Sequence, residues 1–250
     1  MAVVNYLTRC CLPRPTPRVG RGKTIGIGPL FMNEQTWTTS ANLNHLVDYV
    51  LRGRVSIRRL RTFAIACHRL VWDKMQVAEA VELIERVEQY NNRQVEWEEV
   101  SQSLTKWHAR LVNLRCEWET LSFPAIIRAA AMLGELANNR SSAIVHSCHP
   151  VLTMLYGADY DSSGQAADLL RCVLGNLFQP KPNPLTWKTT SVCDLAKSQY
   201  ITRTFNAMPI LADALEEAGC DHAEVLAHCR DPALTHVRGC WVVDLVLGKN

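Results

Sequence analysis

No apolar run in this sequence is long enough to cross a bilayer, which takes about 20 residues in a helix. The best stretches, AIIRAAAML and WVVDLVL, are short and are interrupted by Arg128 and Asp244. The ten cysteines include no CxxC pair, and no h-region with a small-residue cleavage site precedes them. A secreted disulfide scaffold is therefore set aside in favour of free thiols in a reducing, cytoplasmic setting. GxSxG, HExxH, a Rossmann glycine pattern and Cys-hydrolase signatures are all missing, which removes the enzyme classes those motifs announce. GRGKT (20–24) is a fragment of a phosphate loop, but the Gly needed five residues before Gly22 is Pro17.

Acid is missing from residues 1–31, where Arg9, Arg14, Arg18, Arg21 and Lys23 stand alone. The formal net charge of +3 comes from this stretch, because the rest holds 22 basic against 24 acidic residues. A general nucleic-acid binder is usually basic over its folded part. Residues 1–31 have neither helical nor strand periodicity. They are expected to be a solvated tail, and Met32 the true start, with globular texture beginning at MNEQTW.

What is present is helical spacing almost everywhere from residue 40. Ser40 and Ser56 are expected N-caps. After Ser56, Ile57, Leu60, Ala64, Cys67 and Val71 form one apolar stripe at three- and four-residue spacing, with Arg58, Arg61 and Arg69 on an adjacent face. QVAEAVELIERVEQYNN repeats the pattern with Glu outside. EWEEVSQSLTKWHARLVNLRCEWE carries Trp97, Trp107 and Trp118, and Pro124 is placed to start another helix. QPKPNPLTW breaks the body, since three Pro in five residues cannot continue a helix. WVVDLVL is β-branched, but no other run offers it a partner strand. The expected class is all-α: an irregular multi-helix domain, possibly two packed helical subdomains, 32–176 and 177–250.

Two stretches carry a resemblance. TWTTSANLNHLVDYVLRGRVSIRRLRTFAIACHRLVW is similar to the opening of a large paralogous family of uncharacterised planctomycete (Gemmata-type) proteins, through Trp37, Leu51, Arg52, Gly53, Arg59, Leu60, Arg61, Phe63, Ala64, Cys67, Arg69 and Trp72. GNLFQP, WKT and MPILADALEEAGC through HVRGCWVVDLVLGK resemble that family's ending. The chain departs from it at Leu177 and Gln179, and at Asp231 and Ala233 in a turn the family makes Pro/Gly-rich. The resemblance implies a bacterial, helical, cytoplasmic protein that starts at Met32. It implies no activity.

The richest set of chemical groups is Cys220, His228, His236 and Cys240, spaced C-x7-H-x7-H-x3-C. These residue types suit tetrahedral zinc, and His236 and Cys240 have the i,i+4 spacing of a helical ligand pair. The first interval is too wide for a finger or ribbon. The resemblance favours metal, because the family ending shows the same four residue types. Packing alone is the expected account: buried thiols, histidines bonded to backbone, no metal and no cofactor. His146, Cys148 and His149 form a weaker cluster, expected to lie at a helix end. Asp244 must be paired if buried, and Arg238 is the expected partner.

Arg54, Arg58, Arg61 and Arg69 are a possible basic patch for nucleic acid, or a solvated face paired with the acidic helix that follows. The expected function is non-enzymatic: a cytoplasmic helical interaction or scaffold protein with a protein partner and no membrane. The alternatives are nucleic-acid binding through the Arg-rich helix 52–69, and a metal-dependent or Cys enzyme built on the C-terminal His/Cys cluster.

Overall fold

A computed structural model of the chain describes residues 32–53, 55–75, 77–119, 132–157, 159 and 164–249. The expectations about residues 1–31, Arg54 and a helix starting at Pro124 lie outside these. Among the described residues there is no strand, and the all-α class holds.

Helix α1 (Glu34–Thr39) begins where the Asn33 side chain accepts the Thr36 N–H at 2.8 Å. Helix α2 (Leu43–Arg52) is capped in the same way by Asn42, which accepts from His45 N at 2.9 Å. The cap is therefore Asn42 and not Ser40; Asn and Ser are near-equals in this role, and Ser40 Oγ instead accepts the Asn42 N–H. Ser56 does cap α3 (Ile57–Met75), accepting the Arg59 N–H at 3.3 Å. Helices α4 (Ala78–Asn91) and α5 (Trp97–Glu119) follow, then a 3-10 turn (Gly134–Ala137), α6 (Ser141–His146), α7 (Cys148–Tyr156) and α8 (Gln165–Leu174). After the Pro-rich crossing come α9 (Thr190–Thr202), α10 (Met208–Glu217), α11 (Ala223–Arg230) and α12 (Trp241–Leu247).

Helix α3 is the centre of the core, packed by α4, α6, α7 and α8. Leu60, Ala64, Cys67 and Val71 are buried as their spacing predicts, while Ile57 in the first turn is 37% exposed. Encirclement also buries the opposite face: Arg61 is 5% exposed, Arg69 7% and His68 0%. Periodicity predicts a polar face in solvent, and here other helices cover it instead.

The buried Arg61 and His68 side chains have found partners, as burial demands. Arg61 donates to the Leu136 and Asn138 carbonyls (3.1 and 3.0 Å) and to Asn91 Oδ1 and Asn139 Oδ1 (3.2 and 3.0 Å). Two of these acceptors lie at the C-terminal end of the 3-10 turn, where unpaired carbonyls favour a cation. His68 Nδ1 accepts from Trp72 Nε1 at 3.2 Å, so its proton sits on Nε2 and faces Ser147 Oγ at 3.2 Å. Ser147 Oγ in turn donates to the Ile144 carbonyl at 2.6 Å.

Residues 32–250 form one compact unit. Trp37 Nε1 donates to the Gly175 carbonyl at 3.0 Å, and Arg171 donates to the carbonyls of Trp37 and Ser40 at the end of α1. Gly175 has φ +70°, and a Cβ there would stand 3.1 Å from the Trp241 ring. The last helix thus packs directly on the end of α8, across the Pro-rich crossing.

Candidate metal centre

Four side chains from four segments meet near the start of α12. Cys172 comes from α8, His228 from α11, His236 from the loop between α11 and α12, and Cys240 is the residue just before α12. Their donor atoms all lie within 4.8 Å of one another. His228 Nε2 is 3.2 Å from Cys240 Sγ, His236 Nδ1 is 4.0 Å from the same sulfur, and Cys172 Sγ is 3.8 Å from His236 Nδ1. A zinc ion bonded at about 2.3 Å to sulfur and about 2.0 Å to nitrogen holds tetrahedral donors about 3.3–3.8 Å apart. The three distances bracket that range.

The fold brings these residues together for identifiable local reasons. His228 sits in the last turn of α11, on the side facing α12, with its ring 5.5 Å from the Trp241 ring centroid. The loop carrying His236 is pressed onto α3 at Gly239. There φ is +98°, and a Cβ would stand 2.1 Å from Thr62 Cγ2. Only glycine permits both the backbone and the approach. Cys172 lies on the buried face of α8, fixed by Leu169, Leu170 and Val173 around it.

Both thiols are fully buried, at 0% exposure. Contact with Cys240, together with burial, raises the Cys172 thiol well above the usual cysteine range. Burial also opposes a thiolate at Cys240, but the Cys172 hydrogen bond and the His228 and His236 rings outweigh it and hold Cys240 well below that range. Cys240 therefore gives up its proton first. A dication would draw off the second, since the thiolate is the metal ligand. His236 Nε2 is buried with no hydrogen-bond partner among the described residues.

Cys220 does not join the set. It is 2% exposed, and it influences the Cys229 thiol, which burial pushes up. The sequence pattern thus names three of the four converging residues and misplaces the fourth. Cys172 stands on an apolar helix 64 positions before His236 and has no spacing signal. Only its apolar company and a helix face turned toward the C-terminal segment mark it out. The His146/Cys148/His149 cluster does not converge either: Cys148 points into the core beside Cys67, while the two imidazoles stack outside with centroids 5.7 Å apart.

Asp244 and Arg238 do not pair with each other as expected. Asp244 lies 3.7 Å from Arg59, and Arg238 reaches Glu88 at 3.3 Å. Arg238, before the turn at Gly239, meets α4, while Asp244, in the first turn of α12, meets α3. Two arginines of the basic patch are likewise not at the surface. Arg61 and Arg69 are buried, and Arg69 bonds Glu88 at 2.5 Å. Arg58 donates to the Asn91 carbonyl at 3.0 Å. The acidic helix α4 does take up these cations, by burying them.

Compared with models of protein families, with curated proteins and with solved structures, the chain matches none. No described helix is long and apolar enough to cross a membrane.

Proposed function

We propose that this chain is a non-enzymatic helical protein whose C-terminal segment is held to the core by a structural zinc ion on Cys172, His228, His236 and Cys240. The observation that carries this reading is the convergence of four donor atoms from four segments within 4.8 Å. Two Cys and two His suit zinc over harder cations, which take oxygen ligands. Four protein donors fill a tetrahedral shell, the pattern of structural zinc; a catalytic site keeps one position for water. This replaces the packing-only account expected from sequence, which leaves the meeting of two thiols and two imidazoles without a purpose.

A stapled helical body fits an interaction or scaffold role with a protein partner. Free buried thiols at Cys67, Cys148 and Cys229 fit a reducing, cytoplasmic setting. The nucleic-acid alternative is less well supported, because Arg58, Arg61 and Arg69 are engaged within the fold.

The test is elemental analysis of the chain purified without a polyhistidine tag. One zinc per chain, lost in Cys172→Ser and in Cys240→Ser, is expected. Metal-free protein with an unchanged melt in a strong chelator contradicts the proposal.

A further inference from the structure

One arginine of α3 stands where the two cysteine-bearing segments meet. Arg59 Nη1 donates to the Val173 carbonyl at 2.9 Å and lies 3.7 Å from Asp244 Oδ2. Val173 directly follows Cys172 in the last turn of α8, and Asp244 stands one turn after Cys240, in the first turn of α12. A single nitrogen therefore holds the backbone beside one sulfur ligand and a side chain one turn from the other.

Each contact has a local cause. The Val173 carbonyl is among the last four of α8, which no amide of the helix takes up, and a cation suits that end. Asp244 is buried and needs a positive partner. Arg59 is itself largely buried, with 13% of its side chain exposed. Burial lowers its guanidinium from the ordinary value, while the Asp244 carboxylate and, more weakly, the Cys240 sulfur act in the opposite direction. An arginine keeps its charge through such a shift. The same helix carries Thr62, less than one turn further on, against which Gly239 packs. Helix α3 thus touches the carbonyl end of α8 through Arg59, and the loop before Cys240 through Thr62.

We propose that Arg59 is the positioning residue of the zinc centre: it holds Cys172 and Cys240 at the separation that a shared metal needs. The inference rests on the zinc reading above. Arg59 is not a ligand, because a guanidinium has no acceptor atom to offer a cation. It acts through the backbone beside Cys172 and through the first turn after Cys240. Loss of an outer partner of this kind typically weakens metal binding by about 10–100-fold.

The test is competition for zinc between the full chain and a chromophoric chelator. It compares the natural chain, Arg59→Gln, Arg59→Lys and Arg61→Gln, with cobalt(II) spectra of the same four. Arg59→Gln should bind zinc at least about tenfold more weakly, and its sulfur-to-cobalt bands should be shifted or weakened per bound metal. Arg61→Gln removes an arginine of the same helix whose acceptors, the Leu136 and Asn138 carbonyls, belong to the 3-10 turn. It should destabilise the fold yet keep the natural affinity and spectrum. Arg59→Lys keeps the charge, but its nitrogen ends one bond short of Nη1. It should fold and still bind zinc more weakly than the natural chain, and it carries the test if Arg59→Gln does not fold. A natural chain without zinc overturns the zinc reading and this inference with it. With zinc in the natural chain, unchanged affinity and spectrum in the Arg59 variants overturn this inference alone, as does an equal loss in Arg61→Gln or full affinity in Arg59→Lys.

Discussion

Cys172 Sγ lies 3.8 Å from His236 Nδ1, although 64 positions separate them. The contact closes the chain between α8 and the loop before α12, across the Pro-rich crossing. A metal bridging the two would constrain that crossing and the helices after it together.

The register of α3 makes a ranking. Leu60 is 1% exposed and Ile57 37%. Leu60→Ala should cost about 2–5 kcal/mol, as for a buried leucine. Ile57→Ala should cost under about 1 kcal/mol, given its partial burial. Chemical denaturation of both variants checks this; equal costs would mean that the helix is turned differently.

Arg61 should matter more than Arg58. Its guanidinium bonds four acceptors, two of them buried, the Leu136 carbonyl and Asn91 Oδ1, and truncation leaves those two without this donor. Arg61→Ala should lose about 2–4 kcal/mol, and Arg58→Ala about 1 kcal/mol, from the usual cost of unsatisfied buried groups. Denaturant midpoints measure both. A neutral Arg61→Ala would show that this side chain is solvated after all.

The helices were legible in the sequence because three- and four-residue spacing reports which positions meet a core. The same spacing cannot report how many neighbours a helix has. On α3, Leu60, Ala64, Cys67 and Val71 follow the stripe, yet Arg61, His68 and Arg69 are buried too. Their partners, such as Asn138, Ser147 and Glu88, lie far along the chain, so no local pattern foretells them. The His/Cys site follows the same logic. His228, His236 and Cys240 are near in sequence and stood out; Cys172 depends on how α8 packs. The partners of Asp244 and Arg238, Arg59 and Glu88, lie on helices far back along the chain, so no local pattern foretells them either.

Burial makes His68 an acid-sensitive point. Its imidazole is pushed down from the ordinary 6.5 to about 3. The unfolded chain therefore binds a proton that the fold refuses between those two values. The stability that neutral His68 contributes is fully present above pH 6.5 and is lost as pH falls toward about 3. The loss should run at about 1.4 kcal/mol per pH unit. His68→Gln, which can still accept from Trp72 and donate to Ser147, should flatten the fall in stability below pH 6. A variant with the natural acid slope would contradict this.

Gly239 is expected to tolerate no side chain. Gly239→Ala needs an unfavourable backbone and collides with Thr62 Cγ2, so it should displace the loop that carries His236 and Cys240. Zinc content and melting temperature should fall together in this variant. Removing the obstacle with Thr62→Ala should recover only part of both, since the backbone strain persists.

The most direct test of the account is the visible spectrum of the chain refolded with cobalt(II), a tetrahedral reporter for zinc. The natural chain and Cys220→Ala should give the same tetrahedral bands, with sulfur-to-cobalt charge transfer from two thiolates. Cys172→Ser should lose about half of that charge-transfer intensity, because one of the two sulfur ligands is gone. A spectrum unchanged by Cys172→Ser but weakened by Cys220→Ala, or no tetrahedral cobalt in any of the three, would contradict a centre built on Cys172, His228, His236 and Cys240.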